Sequence, residues 1–246
     1  MNLQDLKLAI IGLGYVGLPL ALAFSKKFPV IAYDVDAGRI DELNNGFDRT
    51  GEVGAQALEA NEKLWFTSEK LALDGCNCYI IAVPTPVNDF NQPDLRALTA
   101  AAKLVGEHIK DGDVVIFEST VFPGATEEIC VPILAETSGL GPDTDDDARH
   151  QDCFYFGYSP ERINPGDPNR GLEDIVKVTS GSSKVAADFV DALYASIIKA
   201  GTHKAASVKT AEAAKVIENI QRDVNIALVN EFALIFDRLG LSTEEV

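Results

Sequence analysis

The 246-residue sequence is poor in basic side chains: 21 Lys and Arg residues stand against 38 Asp and Glu, giving a formal net charge of −17 at pH 7. A surface of this sign repels nucleic acids and anionic lipids, so we expect neither nucleic acid nor a membrane as a partner. The same field opposes an anionic ligand, which must therefore be held by local hydrogen-bond donors.

The sequence also lacks segments that direct a chain to or across a membrane. Its N-terminus has no positively charged region of the kind that opens a signal peptide, and glycines interrupt its first apolar stretch. No apolar run reaches the length of roughly 18 residues that a membrane-spanning helix needs. We therefore expect a cytoplasmic protein.

Cysteine and histidine are scarce, with four Cys and three His residues. The spacing of Cys76, Cys78, Cys130 and Cys153 matches neither a zinc site nor a CxxC redox pair. We expect four reduced, mostly buried thiols and no metal site. An Asp-rich segment, 141–152, is a conceivable metal site, but we predict a solvated acidic loop there.

Short apolar segments alternate with helical ones along most of the chain. Strands are predicted at 6–11, 29–36, 64–68, 76–86, 113–120, 154–158 and 175–181. Helices are predicted at 15–28, 37–46, 94–110, 124–139 and 182–198. Because the strands are apolar throughout, both faces of their sheet should be covered. The order predicts an α/β fold, a Rossmann-like doubly wound parallel sheet.

The segment that follows has a different character. From Ser207 there is no proline and no glycine until Gly240, and the segment is Ala-rich and apolar on more than one face. It predicts a long helix over 207–239 that is buried on several sides. We therefore expect a nucleotide-binding domain over 1–206, a boundary near residue 206, and a second domain that begins with 207–246.

Three glycines, Gly12, Gly14 and Gly17, follow the first predicted strand and open the first predicted helix. In this context Gly12 allows a tight turn, Gly14 lets a pyrophosphate approach the backbone, and Gly17 allows close helix–strand packing. The helix N-terminus supplies free N–H groups for the phosphates. This arrangement predicts a dinucleotide site that needs no basic side chain.

An acidic residue is expected about 20 residues further on, at the end of the second strand, and Asp34 lies there. Its carboxylate would accept hydrogen bonds from ribose hydroxyls and repel a 2′-phosphate, which favours NAD over NADP. Asp36 is better placed as the N-cap of the next helix, on which Arg39 could reach the adenosine side. The alternative is a glycine bend that binds no nucleotide.

Five motifs, in chain order, resemble those of the UDP-glucose/GDP-mannose dehydrogenase family. They are GLGYVGLPLA, VPTPVNDFNQPDL, ESTVFPGATEE, GYSPERINPGD and AEAAKVIENIQRDVNIALVNE. The whole chain looks most like the UDP-N-acetylhexosamine branch, which includes the Vi-antigen type enzymes. The resemblance implies an NAD-dependent oxidation of the C6 alcohol of a UDP-sugar to a carboxylate, in two hydride transfers, for surface polysaccharide synthesis.

The resemblance also assigns catalytic roles. Lys215 and Asn219 match the family's active-site lysine and asparagine, and their spacing puts them on one helix face. Lys215 would stabilise oxyanions, although a lone lysine on a long helix would ordinarily face solvent. Glu161 matches the glutamate that positions water for thioester hydrolysis, and Thr120 matches the threonine beside the nicotinamide.

Further residues are expected to bind cofactor or substrate. Tyr15 and Val16 belong to the glycine turn, and Val83 and Thr85 follow the fourth strand, where they should line the cofactor groove. Arg162 is a candidate contact for the sugar or diphosphate, and the RINPGD segment that it opens should form a loop facing the substrate.

The family nucleophile is a cysteine in a Gly–Cys motif beyond the lysine helix. Its thiolate adds to the aldehyde, and the resulting thiohemiacetal is oxidised to a thioester. The sequence ends before this motif and before the family's UDP-binding domain, and no motif places its own cysteines near Lys215. We expect an N-terminal portion that binds NAD, dimerises through the 207–239 helix and does not complete the reaction by itself.

Other functions stay open. The chain could be a stand-alone NAD-binding and dimerising module, or part of a UDP-glucose 6-dehydrogenase, because the sequence does not identify the sugar. A different Rossmann oxidoreductase, such as a hydroxyacid dehydrogenase, would need a catalytic histidine. His108, His150 and His203 have no context that supports this role.

Overall fold

The computed structural model describes residues 2–59, 62–146, 151–162 and 171–246. The strands in those ranges are β1 (Leu8–Ile11), β2 (Val30–Tyr33), β3 (Leu64–Thr67), β4 (Cys78–Ile81), β5 (Val114–Phe117), β6 (Gly141–Pro142), β7 (Cys153–Tyr158), β8 (Lys177–Gly181) and β9 (Thr202–Lys204). The α-helices there are α1 (Gly17–Ser25), α2 (Ala37–Asn44), α3 (Ala55–Glu59), α4 (Arg96–Gly106), α5 (Val131–Ser138), α6 (Lys184–Ala195) and α7 (Val208–Leu239).

The strands form one sheet in the order β3-β2-β1-β4-β5-β7-β8-β9, with the two-residue β6 paired to β7. All pairs from β3 across to β7 are parallel, and Ile10 of β1 lies between Ala32 of β2 and Ile80 of β4. The chain order reverses beside β1. In open parallel sheets, the crevice outside the carboxyl ends of the strands at such a reversal is where ligands bind.

Two hydrophobic cores cover the two faces of this sheet. Leu8 and Ile10 of β1 point into the core that contains α1 and α6, and Ala9 and Ile11 point into the core that contains α4 and α5. All four are buried. Strands covered on both faces have no polar side to expose, which explains why they read as continuous apolar runs. The predicted Rossmann-like, doubly wound fold is confirmed.

The far side of the sheet departs from the prediction of a wholly parallel arrangement. β8 runs antiparallel to β7, with Gly157 opposite Gly181, and the unpredicted β9 extends the edge. Parallel neighbours need a crossover, whereas antiparallel ones do not. The described part of the β7–β8 connection contains only a short 3₁₀ turn, Leu172–Asp174, so the chain returns in the opposite direction.

The predicted acidic loop is only partly a loop. Residues 141–142 form β6, and the Asp143 side chain behind them is buried. Its carboxylate accepts hydrogen bonds from the Asp145 N–H and the Cys153 thiol. The prediction of a loop is therefore wrong for residues 141–142, which form an exposed strand, and the prediction of a solvated side chain is wrong for Asp143. Residues 147–150, including His150, lie outside the described residues.

The final helix, α7, begins at the predicted position but is not buried along its length. The Ser207 side chain caps its N-terminus, and Gly240 ends it at a φ of +71°. The buried residues of the helix are Val208, Ala211 and Glu212. Its exposed large apolar side chains are Ile217, Ile220, Val224, Ile226, Leu228, Val229, Phe232, Leu234, Ile235 and Leu239. Within the described residues, no helix combines the length and hydropathy needed to cross a membrane.

Candidate functional site

The turn between β1 and α1 has the backbone that its glycines permit. Gly12 has a φ of +94°, and a Cβ there would lie 3.0 Å from the Ala82 oxygen and from Val83 Cγ1. A Cβ on Gly17 would lie 1.8 Å from the Gly12 carbonyl oxygen. Gly14 differs, because nothing lies within 4 Å of its would-be Cβ. Gly12 and Gly17 therefore allow close packing of the backbone, whereas Gly14 leaves open space beside it.

Asp34 holds the turn from the end of β2. Its Oδ2 accepts a hydrogen bond from the Leu13 N–H at 2.8 Å, and its Oδ1 accepts one from the Asp36 N–H at 3.0 Å. Each carboxylate oxygen can accept a second hydrogen bond. Asp36 caps α2 by accepting from the Gly38 N–H at 2.9 Å, as predicted.

Arg39 is buried and stabilises the turn through hydrogen bonds. Its Nε donates to the Leu13 carbonyl at 3.0 Å, and its Nη2 donates to Asp48 Oδ1 at 2.6 Å. Burial acts to raise the pKa of Asp48, but hydrogen bonds from Arg39 and Thr50 outweigh it and hold that pKa below its usual range. Asp48 lies in an irregular segment with no motif, and its role was not predicted from the sequence.

A cleft follows the turn and is divided into two pockets. The first is lined by Gly12, Asp34, Arg39, Ala97 and Leu104, together with the unpredicted Arg49 and Lys70. The second is lined by Tyr15, Val16, Thr85, Thr120 and Glu161. Gly14, Ala82, Val83 and Pro84 line both. The structure thus gathers the predicted cofactor residues along one cleft, except Gly17, which packs beneath it.

Two hydroxyl groups fix the wall of the second pocket. Thr85 Oγ1 donates to the Thr120 carbonyl at 2.6 Å, and Ser119 Oγ donates to the Val83 carbonyl at 2.6 Å. These bonds tie together the segments that leave β4 and β5. The Thr120 side chain stays exposed.

A cluster of charged side chains lies at the inner end of the second pocket. Lys177 Nζ donates to Glu118 Oε2 at 2.8 Å and lies 3.7 Å from Glu161 Oε2. The Tyr194 hydroxyl donates to the other Glu118 oxygen, and Lys177 Nζ lies 5.2 Å from the centre of the Tyr194 ring. We call Glu118, Lys177 and Glu161 the charge cluster.

Burial has opposite effects on the two fully enclosed members of the charge cluster. It raises the pKa of Glu118, which the neighbouring Lys177 ammonium acts to lower. It acts to lower the pKa of Lys177, but the Glu118 and Glu161 carboxylates outweigh it and raise that pKa. Neither Glu118 nor Lys177 was predicted as a site residue. The sequence did contain a signal for them, because each is a charged residue within a mostly apolar predicted strand, Glu118 in 113–120 and Lys177 in 175–181.

Helix α7 meets the cleft at the Glu161 end. Lys215 Nζ donates to the Glu161 carbonyl oxygen, and burial lowers the pKa of Lys215. Arg162 forms a 3.0 Å ion pair with Glu218. Asn219 is exposed one turn beyond Lys215. The structure therefore brings Lys215 to Glu161, although Lys215, Asn219 and Arg162 do not belong to the lining of either pocket. The rest of the RINPGD segment lies outside the described residues.

The four cysteines are buried and unbridged. Burial raises the pKa of Cys76 to about 11 and that of Cys130 to about 12, and it raises the pKa of Cys78 further. A thiol with a raised pKa is a poor nucleophile because little thiolate is present. Across the described ranges, no three His, Cys, Asp or Glu side chains are grouped to hold a metal ion.

These features define a Rossmann-like dinucleotide-binding fold that is followed by the long helix α7. The NAD-binding domain of the UDP-glucose/GDP-mannose dehydrogenase family matches residues 6–198, and the central domain of that family matches residues 209–246. The chain belongs to the UDP-glucose/GDP-mannose dehydrogenase family.

Known relatives resemble the chain over almost all of its length. UDP-N-acetyl-D-glucosamine 6-dehydrogenases of Pseudomonas aeruginosa and Salmonella typhi are each 54% identical to it, over 99% and 100% of the chain respectively. The solved UDP-D-ManNAc dehydrogenase of Pyrococcus horikoshii is 35% identical over 98% of the chain, with a TM-score of 0.87. The chain spans 56% of the length of each of these three proteins.

The residues of the cleft fit NAD, the cofactor of this family's domain. The open space beside Gly14 admits a pyrophosphate, and the Asp34 carboxylate can accept hydrogen bonds from ribose hydroxyls. Ala97 and Leu104 offer an apolar wall to an adenine ring. The predicted cofactor is confirmed as NAD.

Proposed function

We propose that the chain is the NAD-binding part of a nucleotide-sugar dehydrogenase that oxidises C6 of a UDP-N-acetylhexosamine to the carboxylate. The observation that carries the proposal is the contact between Lys215 of α7 and the Glu161 carbonyl at the far end of the cofactor cleft. This contact puts the two residues expected to act on the sugar beside the pocket that Thr120 lines. The names of the relatives support a UDP-N-acetyl sugar.

Each part of the cleft would serve one part of the cofactor. Gly14 and the N-terminus of α1 would hold the pyrophosphate, since the first N–H groups of a helix have no partner within the helix. Asp34 would hold the adenosine ribose in the first pocket, which leaves the second pocket for the nicotinamide. When bound, NAD would supply the hydride acceptor.

Lys215 and Glu161 would have different roles toward the substrate. The Lys215 ammonium would stabilise negative charge that develops on the sugar oxygen, and the loss of one such stabilising group costs about 3–4 kcal/mol in known enzymes. The Glu161 carboxylate would hold water for hydrolysis of the thioester. Asn219 would approach the substrate from the next turn of α7, and Arg162 would contact the sugar or diphosphate.

Because the four cysteines are buried, we expect none of them to take the place of the family nucleophile. We therefore expect the chain by itself to bind NAD without sustained turnover of UDP-GlcNAc or UDP-GalNAc. Sustained formation of reduced cofactor, followed by its absorbance, would contradict this expectation. If the enzyme that contains this chain oxidised UDP-glucose and not a UDP-N-acetylhexosamine, the alternative function of a UDP-glucose 6-dehydrogenase would be supported.

We also infer a domain boundary near residue 206 and a homodimer formed through α7. The exposed apolar side chains on several sides of α7, such as Ile220, Val224 and Phe232, support both, because water is an unfavourable environment for so large an apolar surface. The same surface would suit a stand-alone dimerising module. Light scattering that showed a monomer at high protein concentration would contradict the dimer.

Calorimetric titration of the 246-residue chain tests the cofactor assignment. We expect NAD to bind more tightly than NADP, because a 2′-phosphate would face the Asp34 carboxylate. Gly14→Val should weaken NAD binding by tenfold or more, because its side chain fills the open space, whereas Gly54→Val, in an exposed loop, is the matched control. Tighter binding of NADP, or equal binding by the Gly14 variant, would contradict the assignment.

Lys215 has a matched control on the same helix. Lys209 is exposed and pairs with Glu128 at 3.0 Å, away from the cleft. In the enzyme that contains this chain, Lys215→Met should abolish oxidation of the UDP-sugar, whereas Lys209→Met should leave it unchanged. Equal activities of the two variants would contradict a catalytic role for Lys215.

A further inference from the structure

The wall of the first pocket carries an arginine that is partly exposed and yet held in place. Arg49 lines this pocket, and its side chain is 45% exposed. Its Nε donates to Glu42 Oε2 at 2.5 Å, and its Nη1 donates to Asp36 Oδ2 at 3.1 Å. Two carboxylates, at the N-cap of α2 and within that helix, therefore orient the plane of the guanidinium. A side chain that is already ordered loses little conformational freedom when a ligand packs against it.

The guanidinium and the apolar wall of the first pocket belong to different layers of the fold. Ala97, Ala101 and Leu104 line the pocket from α4, which packs on one face of the sheet. Helix α2, to which Arg49 is tied, packs on the other face. The pocket that both layers line has a volume of about 550 Å³, which is sufficient for an adenosine group. A flat ring in this pocket would have an apolar wall on one side and the guanidinium on the other.

We propose that Arg49 is an adenine-binding residue of this chain, with its guanidinium packed flat against one face of the purine and the apolar wall of α4 against the other. The inference rests on the proposed placement of the adenosine half of NAD in the first pocket. A guanidinium is planar and stacks on the face of an aromatic ring, whereas an ammonium group is a compact point charge. The attraction of the cation to the ring adds to this contact.

Three variants separate the charge of Arg49 from its planar shape. Arg49→Met removes both, Arg49→Lys keeps the charge, and Arg49→Tyr keeps a planar group without the charge. In calorimetric titration of the 246-residue chain, Arg49→Met should raise the Kd for NAD by about three- to tenfold, and Arg49→Lys should recover little of this loss. Arg49→Tyr should bind NAD within about twofold of the unaltered chain, because nucleotide bases also stack on aromatic side chains.

A second ligand and a matched control variant assign the effect to the adenosine half of the cofactor. ADP-ribose has the adenosine and both phosphates of NAD but no nicotinamide, so each variant should change its Kd by the same factor as the Kd for NAD. Arg96 is an exposed arginine that pairs with Asp94 at 2.5 Å and lines neither pocket. Arg96→Met should leave both Kd values unchanged. Circular dichroism checks that every variant is folded.

The outcomes distinguish this inference from the function on which it rests. Equal losses in Arg49→Met and Arg49→Tyr would mean that only the ion pairs with Asp36 and Glu42 matter, and would overturn the inference. Full recovery in Arg49→Lys would overturn it too, because charge alone would then suffice. So would unchanged affinity of Arg49→Met, or a loss for NAD that ADP-ribose does not share. Failure of the unaltered chain to bind either ligand would contradict the proposed function itself.

Discussion

Replacement of Glu212 by glutamine tests how α7 is fastened to the sheet domain. The Glu212 carboxylate is fully buried. Its Oε2 accepts a hydrogen bond from the Gly124 N–H at 2.5 Å, and its Oε1 accepts one from the Thr126 N–H at 2.9 Å. These N–H groups belong to the segment that leads from Thr120 into the π-helical turn Thr126–Cys130. One side chain of α7 therefore orders the segment that leaves β5.

The expected cost follows from the number of hydrogen-bond acceptors. Hydrogen bonds to a charged group contribute about 1.5–3 kcal/mol each, and a neutral one contributes about 1 kcal/mol. Glutamine keeps the volume of the side chain but has one acceptor oxygen, so one of the two N–H groups faces an NH₂ donor instead. We expect Glu212→Gln to lower the free energy of unfolding by about 2–5 kcal/mol.

Urea unfolding followed by circular dichroism measures this difference, with the slope of the transition checked for each variant. Glu231→Gln makes the same chemical change on the exposed part of α7 and should alter the free energy of unfolding by no more than about 0.5 kcal/mol. A Glu212 variant as stable as the Glu231 variant would refute the reasoning.

Three further predictions concern pH, thiols and the ribose site. Burial raises the pKa of Asp113 to about 6. The folded state therefore binds more protons than the unfolded state between about pH 4 and 6, and the free energy of unfolding should fall as pH rises through that window. Asp113→Asn should remove this part of the pH dependence. A thiol reagent at pH 8 should modify the folded chain slowly at all four cysteines and rapidly after unfolding, and one fast-reacting thiol in the folded chain would contradict their burial. Asp34→Asn should weaken NAD binding by about 1–2 kcal/mol, measured by calorimetry, because a neutral amide is a weaker acceptor for ribose hydroxyls, and unchanged affinity would place the ribose elsewhere.

Much of the fold could be predicted because its signals are local. Continuous apolar runs of strand length separated by amphipathic helices indicate a doubly covered sheet, and α1, α2, α4, α5, α6 and α7 all lie within predicted helices. The direction of β8 could not be predicted. An apolar strand has the same pattern in either direction, and only its partner and the connection decide between them.

In the candidate site, too, the residues with a local sequence signal were predicted and the others were not. Gly12 and Gly14 were predicted from the tight turn, and Asp34 from the acidic residue expected at the end of the second strand. Asp36 was predicted because the start of a helix favours a short side chain that can accept a hydrogen bond. Arg39 was expected at the adenosine side, and the structure shows it lining the first pocket, where it donates to the Leu13 carbonyl of the turn and is held by Asp48. Nothing in the sequence near Asp48 indicates this pairing.

The sequence by itself determined the nucleotide-binding turn, the acid that accompanies it and the alternation of strands and helices, since each depends on residues close together in the chain. Tertiary structure alone decided the pairing of Glu118 with Lys177, which are 59 residues apart, and of Glu212 with Gly124, which are 88 residues apart. Such pairs have no local periodicity. Burial makes a partner obligatory for each charged group, but only the packed sheet and α7 determine which partner it meets.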